Sequence, residues 1–187
     1  MPQDAFDGVI ALCWFIFIVV WAVSAFYVKR TVERSLGWGR LLTLGLVIAV
    51  IVGSRGFPGL QQRLWPRTVA VGALAALLTT AGLAVALWAR ATLGTNWSGM
   101  ITFKEGHELI QRGPYAHVRH PIYSGLLLMG LGTAIASARA RSFLAFGLWL
   151  AVLAIKAHYE EQLMIRHFPD AYATYRQRVR ALIPGIW

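Results

Sequence analysis

The amino-acid sequence predicts an all-α integral membrane protein with about five transmembrane helices, on three observations. Of the 187 residues, 57% are hydrophobic and only 14% are charged, whereas soluble domains are roughly 45–50% apolar and about 25% charged. The apolar residues gather into runs of membrane-helix character. Lys and Arg fill the gaps between these runs and give a net charge of +10, which indicates contact with anionic membrane lipids and not with nucleic acid.

Five apolar runs set the order of the predicted helices. They span residues 8–28, 41–53, 68–89, 122–137 and 142–155. Only residues 138–141 link the last two runs, so helices 4 and 5 must form a tight antiparallel hairpin. The tail that follows carries Tyr172, Tyr175 and Val179 on one helical face and predicts an amphipathic C-terminal helix. We expect a single membrane domain over residues 1–187, with the three N-terminal spans in residues 1–89.

The distribution of Lys and Arg predicts the topology. With five passes, the gaps alternate between the two sides of the membrane. Thirteen Lys and Arg fall on the side of residues 29–40, 90–121 and 156–187, and five on the side of residues 1–7, 54–67 and 138–141. The positive-inside rule places the first side in the cytoplasm, together with the polar loop and the tail. Within that loop, residues 100–103 and 109–110 are β-prone and predict a small hairpin or an extended loop.

A basic motif, Arg119-His120-Pro121, stands where the fourth helix should begin. Proline suits the first position of a helix, because its missing N–H would have no helical partner there. The amide N–H groups of the first turn and the guanidinium of Arg119 together predict an anion site at the membrane surface. A basic flank on a helix start is the alternative interpretation of the same residues.

A second polar cluster, Lys156, His158, Glu160 and Glu161, follows the fifth apolar run. Acidic residues near hydrocarbon are costly, so a carboxylate at this place needs a partner or a function. A carboxylate that faces inward can accept two hydrogen bonds from a ribose diol. A solvated acidic turn is the alternative.

These two clusters also have the spacing of a possible metal site. His117 and His120 are three residues apart, as are His158 and Glu161, so four ligands could come from two helix ends. Arg119 lies between the two histidines and would repel a divalent cation. We therefore expect no metal.

The run Arg119-His120-Pro121-x-Tyr123-x-Gly125, followed by Glu160-Glu161, resembles the isoprenylcysteine carboxyl methyltransferase and phospholipid methyltransferase superfamily. Further matching motifs are Leu93-Gly94-x-Asn96-Trp97-Ser98, His107-x-Leu109-Ile110, Gly113-Pro114-Tyr115, and Phe168-x-x-x-Tyr172-x-x-Tyr175 with Pro184. The resemblance covers residues 90–187, and the first three spans match only in being apolar.

The resemblance implies a prokaryotic-type integral membrane methyltransferase that uses S-adenosyl-L-methionine. Residues 90–187 would form its catalytic half, in which the polar loop and the tail cover a pocket facing the cytoplasm. A tunnel open to the bilayer would admit a lipidic acceptor. Since the chain is shorter than eukaryotic members, a prokaryotic inner membrane is expected. Carried over by position, cofactor contacts fall on His107, Glu108, Leu109, Ile110, Tyr115, His120, Pro121, Ile122, Tyr123 and Glu160.

Two departures from the superfamily pattern bear on the acceptor. Lys156 stands where the eukaryotic carboxyl methyltransferases place a substrate-contacting arginine, and Thr95 stands where relatives often have arginine. A lysine keeps the charge but loses the bidentate fork of a guanidinium. Lys156 therefore indicates a carboxylate acceptor less specifically than an arginine at this position would.

The residues leave two acceptor chemistries open. A carboxylate is already ionised at neutral pH and needs only positioning, for which Arg119 and Lys156 are the catalytic candidates. An amine would need a base, for which Glu161 and His158 are candidates. We expect O-methylation of an isoprenylcysteine-like or other lipidic carboxylate, with phosphatidylethanolamine-type N-methylation as the alternative.

Two more distant classes complete the hypotheses. Sterol reductases resemble the C-terminal half, so an NADPH-dependent membrane reductase is one of them, although no motif here resembles a 2′-phosphate site. A small non-enzymatic carrier is the other, and it would be expected to carry charges in the middle of its spans.

Overall fold

The computed structural model describes residues 2–26, 31–34, 45, 53, 56–94, 102–104 and 109–185. Its helices are α1 (Pro2–Ser24), α2 (Pro58–Gln61), α3 (Val69–Leu93), α4 (Pro121–Ser137), α5 (Ala140–His167) and α6 (Pro169–Arg178). A 3₁₀ turn, Gly113–Ala116, precedes α4, and two short strands are β1 (Thr31–Arg34) and β2 (Thr102–Lys104).

The helices confirm the predicted all-α membrane class. Gln3–Ser24, Val69–Leu93 and Ala140–His167 are each long and apolar enough to cross a membrane, and Pro121–Ser137 is a shorter apolar helix. Four of the five predicted spans are therefore helical. The remaining one, residues 41–53, lies almost wholly outside the described residues.

The helices α3 and α4 touch backbone to backbone. A Cβ added at Gly82 would lie 2.5 Å from the carbonyl oxygen of Gly125, and one at Gly125 would lie 2.5 Å from that of Gly82. About two turns further along α4, a Cβ at Gly132 would collide with the hydroxyl of Thr79. Small residues allow this approach, which gives transmembrane helices their dispersion contacts. The start of α4 is thereby fixed on a rigid partner.

The first helix is attached to this pair by polar contacts at one end and in its middle. Gln3 donates from Nε2 to the carbonyl of Arg67 over 2.8 Å, and Arg67 forms an ion pair with Asp7. Farther along, the indole N–H of Trp14 donates to Thr133 Oγ1 on α4 over 3.0 Å. These contacts place α1 against both α3 and α4.

The predicted tight hairpin of the last two spans is confirmed. Ala138 turns the chain with φ 55°, and its N–H donates to the carbonyls of Ala134 and Ile135 at the end of α4. Its own carbonyl accepts from the N–H of Leu64 over 2.7 Å. The next helix begins at Ala140, so α4 and α5 are antiparallel neighbours.

The fifth span continues well beyond its predicted apolar run. We predicted an end at residue 155, but α5 runs on to His167. Glu161 is only 6% exposed, so one face of this polar part of the helix packs on the protein. The candidate cluster at Lys156 to Glu161 therefore lies inside a helix and not at its end.

Two local predictions need correction. The strand Thr102–Lys104 pairs antiparallel with Thr31–Arg34 and not with residues 109–110, which are irregular. The amphipathic helix is present, with Tyr172 and Tyr175 buried. Val179, however, lies past the end of α6 in extended backbone and is not part of its helical face.

Candidate active site

The C-terminal tail crosses the segment that leads into α4. The N–H of Arg119 donates to the carbonyl of Arg180 over 2.8 Å, and the N–H of His120 donates to that of Ala181 over 2.9 Å. We call residues 179–182 the C-terminal strap. Since both backbone donors precede the proline that opens α4, the strap fixes the entry of the chain into this helix.

Side chains fasten the strap and α6 on either side of these bonds. Ser124, in the first turn of α4, donates from Oγ to the carbonyl of Leu182 over 2.5 Å. The phenol of Tyr175 donates to the carbonyl of Tyr115 over 2.6 Å in a buried position. Both acceptors are buried main-chain oxygens, which are costly to leave unpaired. The strap and α6 are thus held along their length.

Glu161 joins three parts of the site through its two oxygens. Its Oε1 lies 2.8 Å from Nε and 2.7 Å from Nη2 of Arg119. The same oxygen lies 3.1 Å from Nε2 of His120. Its Oε2 lies 3.4 Å from Nε of Arg176 on α6. Glu161 therefore ties α5 to the segment before α4 and to α6.

The guanidinium of Arg119 points into the protein. Besides its two contacts with Glu161, it donates from Nη1 to the carbonyl of Val179 in the strap and, over 3.3 Å, to that of Arg176. Its side chain is only 9% exposed. This arrangement makes Arg119 a partner of Glu161 and of the strap, whereas the sequence suggested a guanidinium directed at a bound anion.

Glu160 has more open surroundings than its neighbour. The phenol of Tyr123 donates to its Oε1 over 2.6 Å. Lys156 Nζ lies 3.9 Å from the same oxygen and 5.2 Å from the centre of the Tyr123 ring. The side chains of Glu160 and Lys156 are 24% and 30% exposed. The carboxylate of Glu160 and the ammonium group of Lys156 thus lie together on the more exposed side of the site.

His120 lies between the two carboxylates. Its ring is parallel to that of Tyr123 with centroids 5.4 Å apart, and its Nδ1 is 3.6 Å from Glu160 Oε2. Burial disfavours the charged form, but hydrogen bonds and negative charge from Glu160 and Glu161 outweigh it, so the pKa of His120 is raised above its ordinary value. The imidazolium form is stabilised at this position.

Several of the other predicted cofactor residues form an apolar wall beside these charged groups. Tyr115, Ile122 and Tyr123 belong to one buried cluster, against which Ile110 packs. Burial, together with the charge of Glu160, raises the pKa of Tyr115 well above its ordinary value. Pro121 is fully buried at the start of α4 and Leu109 is half-buried. His107 and Glu108 lie outside the described residues.

Sequence reasoning missed Arg176, Ser124 and the strap. The carbonyls that accept from Arg119, His120 and Ser124 belong to the backbone, which every residue has, so no side chain signals them. The position of Arg176, beside the predicted buried face of α6, was the only available signal. In the described residues, no group of three or more His, Cys, Asp or Glu is arranged to hold a metal ion.

Comparisons with known proteins place the chain in a family. The model of the phospholipid methyltransferase family matches residues 70–171. Protein-S-isoprenylcysteine O-methyltransferase B of Arabidopsis thaliana is 30% identical over 134 residues, which are 70% of this chain and 65% of that protein. Nickel-cobalt-cadmium resistance protein NccN of Alcaligenes xylosoxydans xylosoxydans is 34% identical over 115 residues, 60% of this chain and 52% of that protein.

A solved structure has the same fold. The eukaryotic intramembrane Ras methyltransferase ICMT aligns with a TM-score of 0.60 at 20% identity, over 100% of this chain and 68% of that chain. The chain thus spans about two thirds of the length of these methyltransferases. Because the family match covers more than half of the chain, including α4 and α5, and agrees with the motifs around Arg119 and Glu160, the chain belongs to the phospholipid methyltransferase family.

Proposed function

We propose that this chain is an integral membrane methyltransferase that uses S-adenosyl-L-methionine and O-methylates the carboxylate of an isoprenylcysteine-like or other lipidic acceptor. The observation that carries the proposal is the pairing of Glu160 with Lys156 and Tyr123 at the start of α4. This pairing presents an anion and a cation side by side, next to an apolar wall.

The side chains present fit the cofactor chemically. The carboxylate of Glu160 can accept hydrogen bonds from ribose hydroxyls. The first turn of α4 has no side-chain cap, and the amides of Ile122 and Tyr123 suit the carboxylate of a methionine moiety. Tyr115 and Ile110 offer apolar surface for an adenine ring. Bound there, the cofactor would supply a methyl group on a positively charged sulfur.

The remaining task of the protein is to position the acceptor. Displacement at a methyl group needs close alignment of the reacting atoms, and holding them in place supplies much of the rate. Lys156 is the cation suited to an acceptor carboxylate, because it is about three times as exposed as Arg119. Arg119 holds Glu161 and the strap and acts as a positioning residue.

The charge balance favours an anionic acceptor. Arg119, Lys156 and Arg176 are cations at neutral pH, and His120 has a raised pKa. Among the described residues of the site, two carboxylates, those of Glu160 and Glu161, oppose them. The excess positive charge attracts a carboxylate and repels an ammonium group. A carboxylate also needs no general base, which agrees with the engagement of both Glu161 oxygens in ion pairs.

Phosphatidylethanolamine-type N-methylation is the second candidate. The matching family is described as phospholipid methyltransferase, and Glu160 is open enough to take a proton from an amine. NADPH-dependent reduction is the more distant candidate.

The acceptor is tested directly with labelled S-adenosylmethionine. The purified protein is offered a prenylcysteine analogue and phosphatidylethanolamine side by side. We expect base-labile methyl ester and a loss of at least tenfold in kcat/KM with Lys156→Gln, because a charged contact to the acceptor disappears. Label found only in base-stable phospholipid would establish the N-methylation candidate instead. Calorimetry with S-adenosylhomocysteine and with NADPH separates both from a reductase.

We propose that the site faces the cytoplasm of a prokaryotic cell from its inner membrane. The support is the excess of Lys and Arg on the side of residues 90–121 and 156–187. A reporter fused after residue 187 should be active only in the cytoplasm. Activity of the same fusion on the outer side would reverse this topology.

A further inference from the structure

Exposed arginines collect on the outer side of the C-terminal strap. Arg178 and Arg180 are exposed. Arg178 Nη2 lies 3.5 Å from Gln111 Oε1, which brings it beside the exposed Arg112. Arg180 pairs through its backbone with Val118. Arg112, Arg178 and Arg180 thus form one basic surface. The acidic residue of α6, Asp170, lies in the first turn, at the opposite end of the helix.

This basic surface lies at the depth of the lipid head groups. The strap is bonded to Ser124 in the first turn of α4. With 17 residues, α4 is about 25 Å long at 1.5 Å per residue, slightly shorter than a hydrocarbon core of about 30 Å. Exposed arginines are costly in hydrocarbon, so the strap and the first turn of α4 bonded to it belong where hydrocarbon meets head groups.

We propose that anionic lipid head groups bind Arg178 and Arg180 and thereby hold the strap closed over Arg119 and His120. Arg180 couples the two events, because its side chain is exposed while its carbonyl accepts from the N–H of Arg119. A ligand that binds the closed strap better than the open one shifts the equilibrium toward closure. The inference goes beyond the proposed function and does not depend on it.

Amide hydrogen exchange measures this closure without any catalytic assay. The N–H groups of Arg119 and His120 exchange only when the strap opens, since their acceptors are strap carbonyls. The full chain is placed in nanodiscs of phosphatidylcholine alone or with phosphatidylglycerol. We expect exchange at both amides to slow by on the order of tenfold with the anionic lipid, given the attraction of each arginine to such a surface. High salt should remove most of the difference.

Charge variants identify the residues responsible. Arg178→Gln with Arg180→Gln should exchange at the same rate in both lipids, because the backbone bonds stay and the lipid contacts go. Arg178→Lys with Arg180→Lys should keep the slowing. A matched control is Arg63→Gln with Arg139→Gln. It removes two arginines whose backbones pair at the opposite end of the bundle, and it should also keep the slowing. Equal exchange of the unmodified chain in both lipids would overturn the proposal, as would slowing that persists in the glutamine variant.

Discussion

Two interfaces of α4 differ in how they hold the helix. Against α3, backbone lies on backbone, at Gly125 of α4 and Gly82 of α3. At its start, by contrast, α4 and the segment before it are held to α5 and the strap by hydrogen bonds and ion pairs that centre on Glu161 and Ser124. The first interface depends on shape alone, whereas the second depends on protonation, on salt and on the presence of each polar partner.

Because of this difference, we expect the contact with α3 to be rigid and the polar contacts of α4 to rearrange more easily. Dispersion contacts between close helices have few alternative arrangements, because small voids or overlaps cost energy at once. A network of charges can exchange partners when a charged ligand arrives. The interface with α3 therefore serves as the fixed frame, and the junction of α4 with α5 and the strap is where binding can change the structure.

The largest expected effect is loss of the Glu161 carboxylate. Glu161→Gln leaves Arg119 buried without its counter-ion, and breaking a buried pair in this way costs about 3–5 kcal/mol. We expect a fall of that order in the free energy of unfolding, measured in mixed micelles. The neighbouring change Glu160→Gln is the control, since that side chain is 24% exposed. Equal losses in the two variants would remove the distinction between them.

Next in size is the addition of one methyl group at the glycine contact. Gly125→Ala places a Cβ against the backbone of Gly82 and Ala86, and such overpacking costs about 1–3 kcal/mol. Gly147, on α5, has nothing within 4 Å of an added Cβ. Gly147→Ala should therefore raise stability by about 0.5–1 kcal/mol through helix propensity. The same unfolding measurement applies, and a neutral Gly125→Ala would mean that α3 and α4 are not in backbone contact.

The sequence predicted the membrane helices better than the polar contacts of α4 with α5 and the strap. Apolar runs and their polar gaps mark membrane helices directly, so four of the five spans were recognisable without contacts. The end of α5 was predicted too early, at residue 155, because hydropathy falls where Lys156 and Glu160 enter. The helix continues because Glu161 finds partners on other segments, and this long-range pairing leaves no periodic signal in the chain.

The sequence predicted which residues lie at the candidate site, but not which of them contact each other. Motif spacing selected Arg119, His120, Glu160 and Glu161, and the structure brings all four together. Which glutamate faces inward could not be predicted, because adjacent residues on a helix differ only by about 100° in direction. The choice depends on where the strap and α6 return, which is a property of the whole fold.

A third prediction concerns the open carboxylate. If Glu160 holds the cofactor ribose, Glu160→Ala should weaken S-adenosylhomocysteine binding by more than about tenfold, since a hydrogen-bonded charged partner is lost. Titration calorimetry of the detergent-solubilised protein gives the affinity. Tyr159→Phe, a change at an exposed neighbour, should leave it as it was. Unaltered affinity in Glu160→Ala, with the protein still folded, would move the cofactor away from this carboxylate.

The smallest expected effect is a pH dependence of the stability of the fold, which arises from His120 between Glu160 and Glu161. The pKa of His120 is raised in the folded protein by Glu160 and Glu161 against the effect of burial, so protonation of this ring stabilises the fold. That contribution is complete below the ordinary histidine pKa of about 6.5 and is lost as the pH rises through the folded value.

The unfolding midpoint should therefore fall as the pH rises from about 6, by a few degrees, since about 1 kcal/mol corresponds to roughly 2–4 °C in a chain of this size. His120→Gln should remove the slope, because no proton is then gained or lost between Glu160 and Glu161. His158→Gln, an exposed histidine on α5, should keep it. Gly125→Ala should lower the midpoint by the same amount at every pH, because the glycine contact has no titrating group. A slope that survives in His120→Gln would show that the carboxylates do not act through this ring.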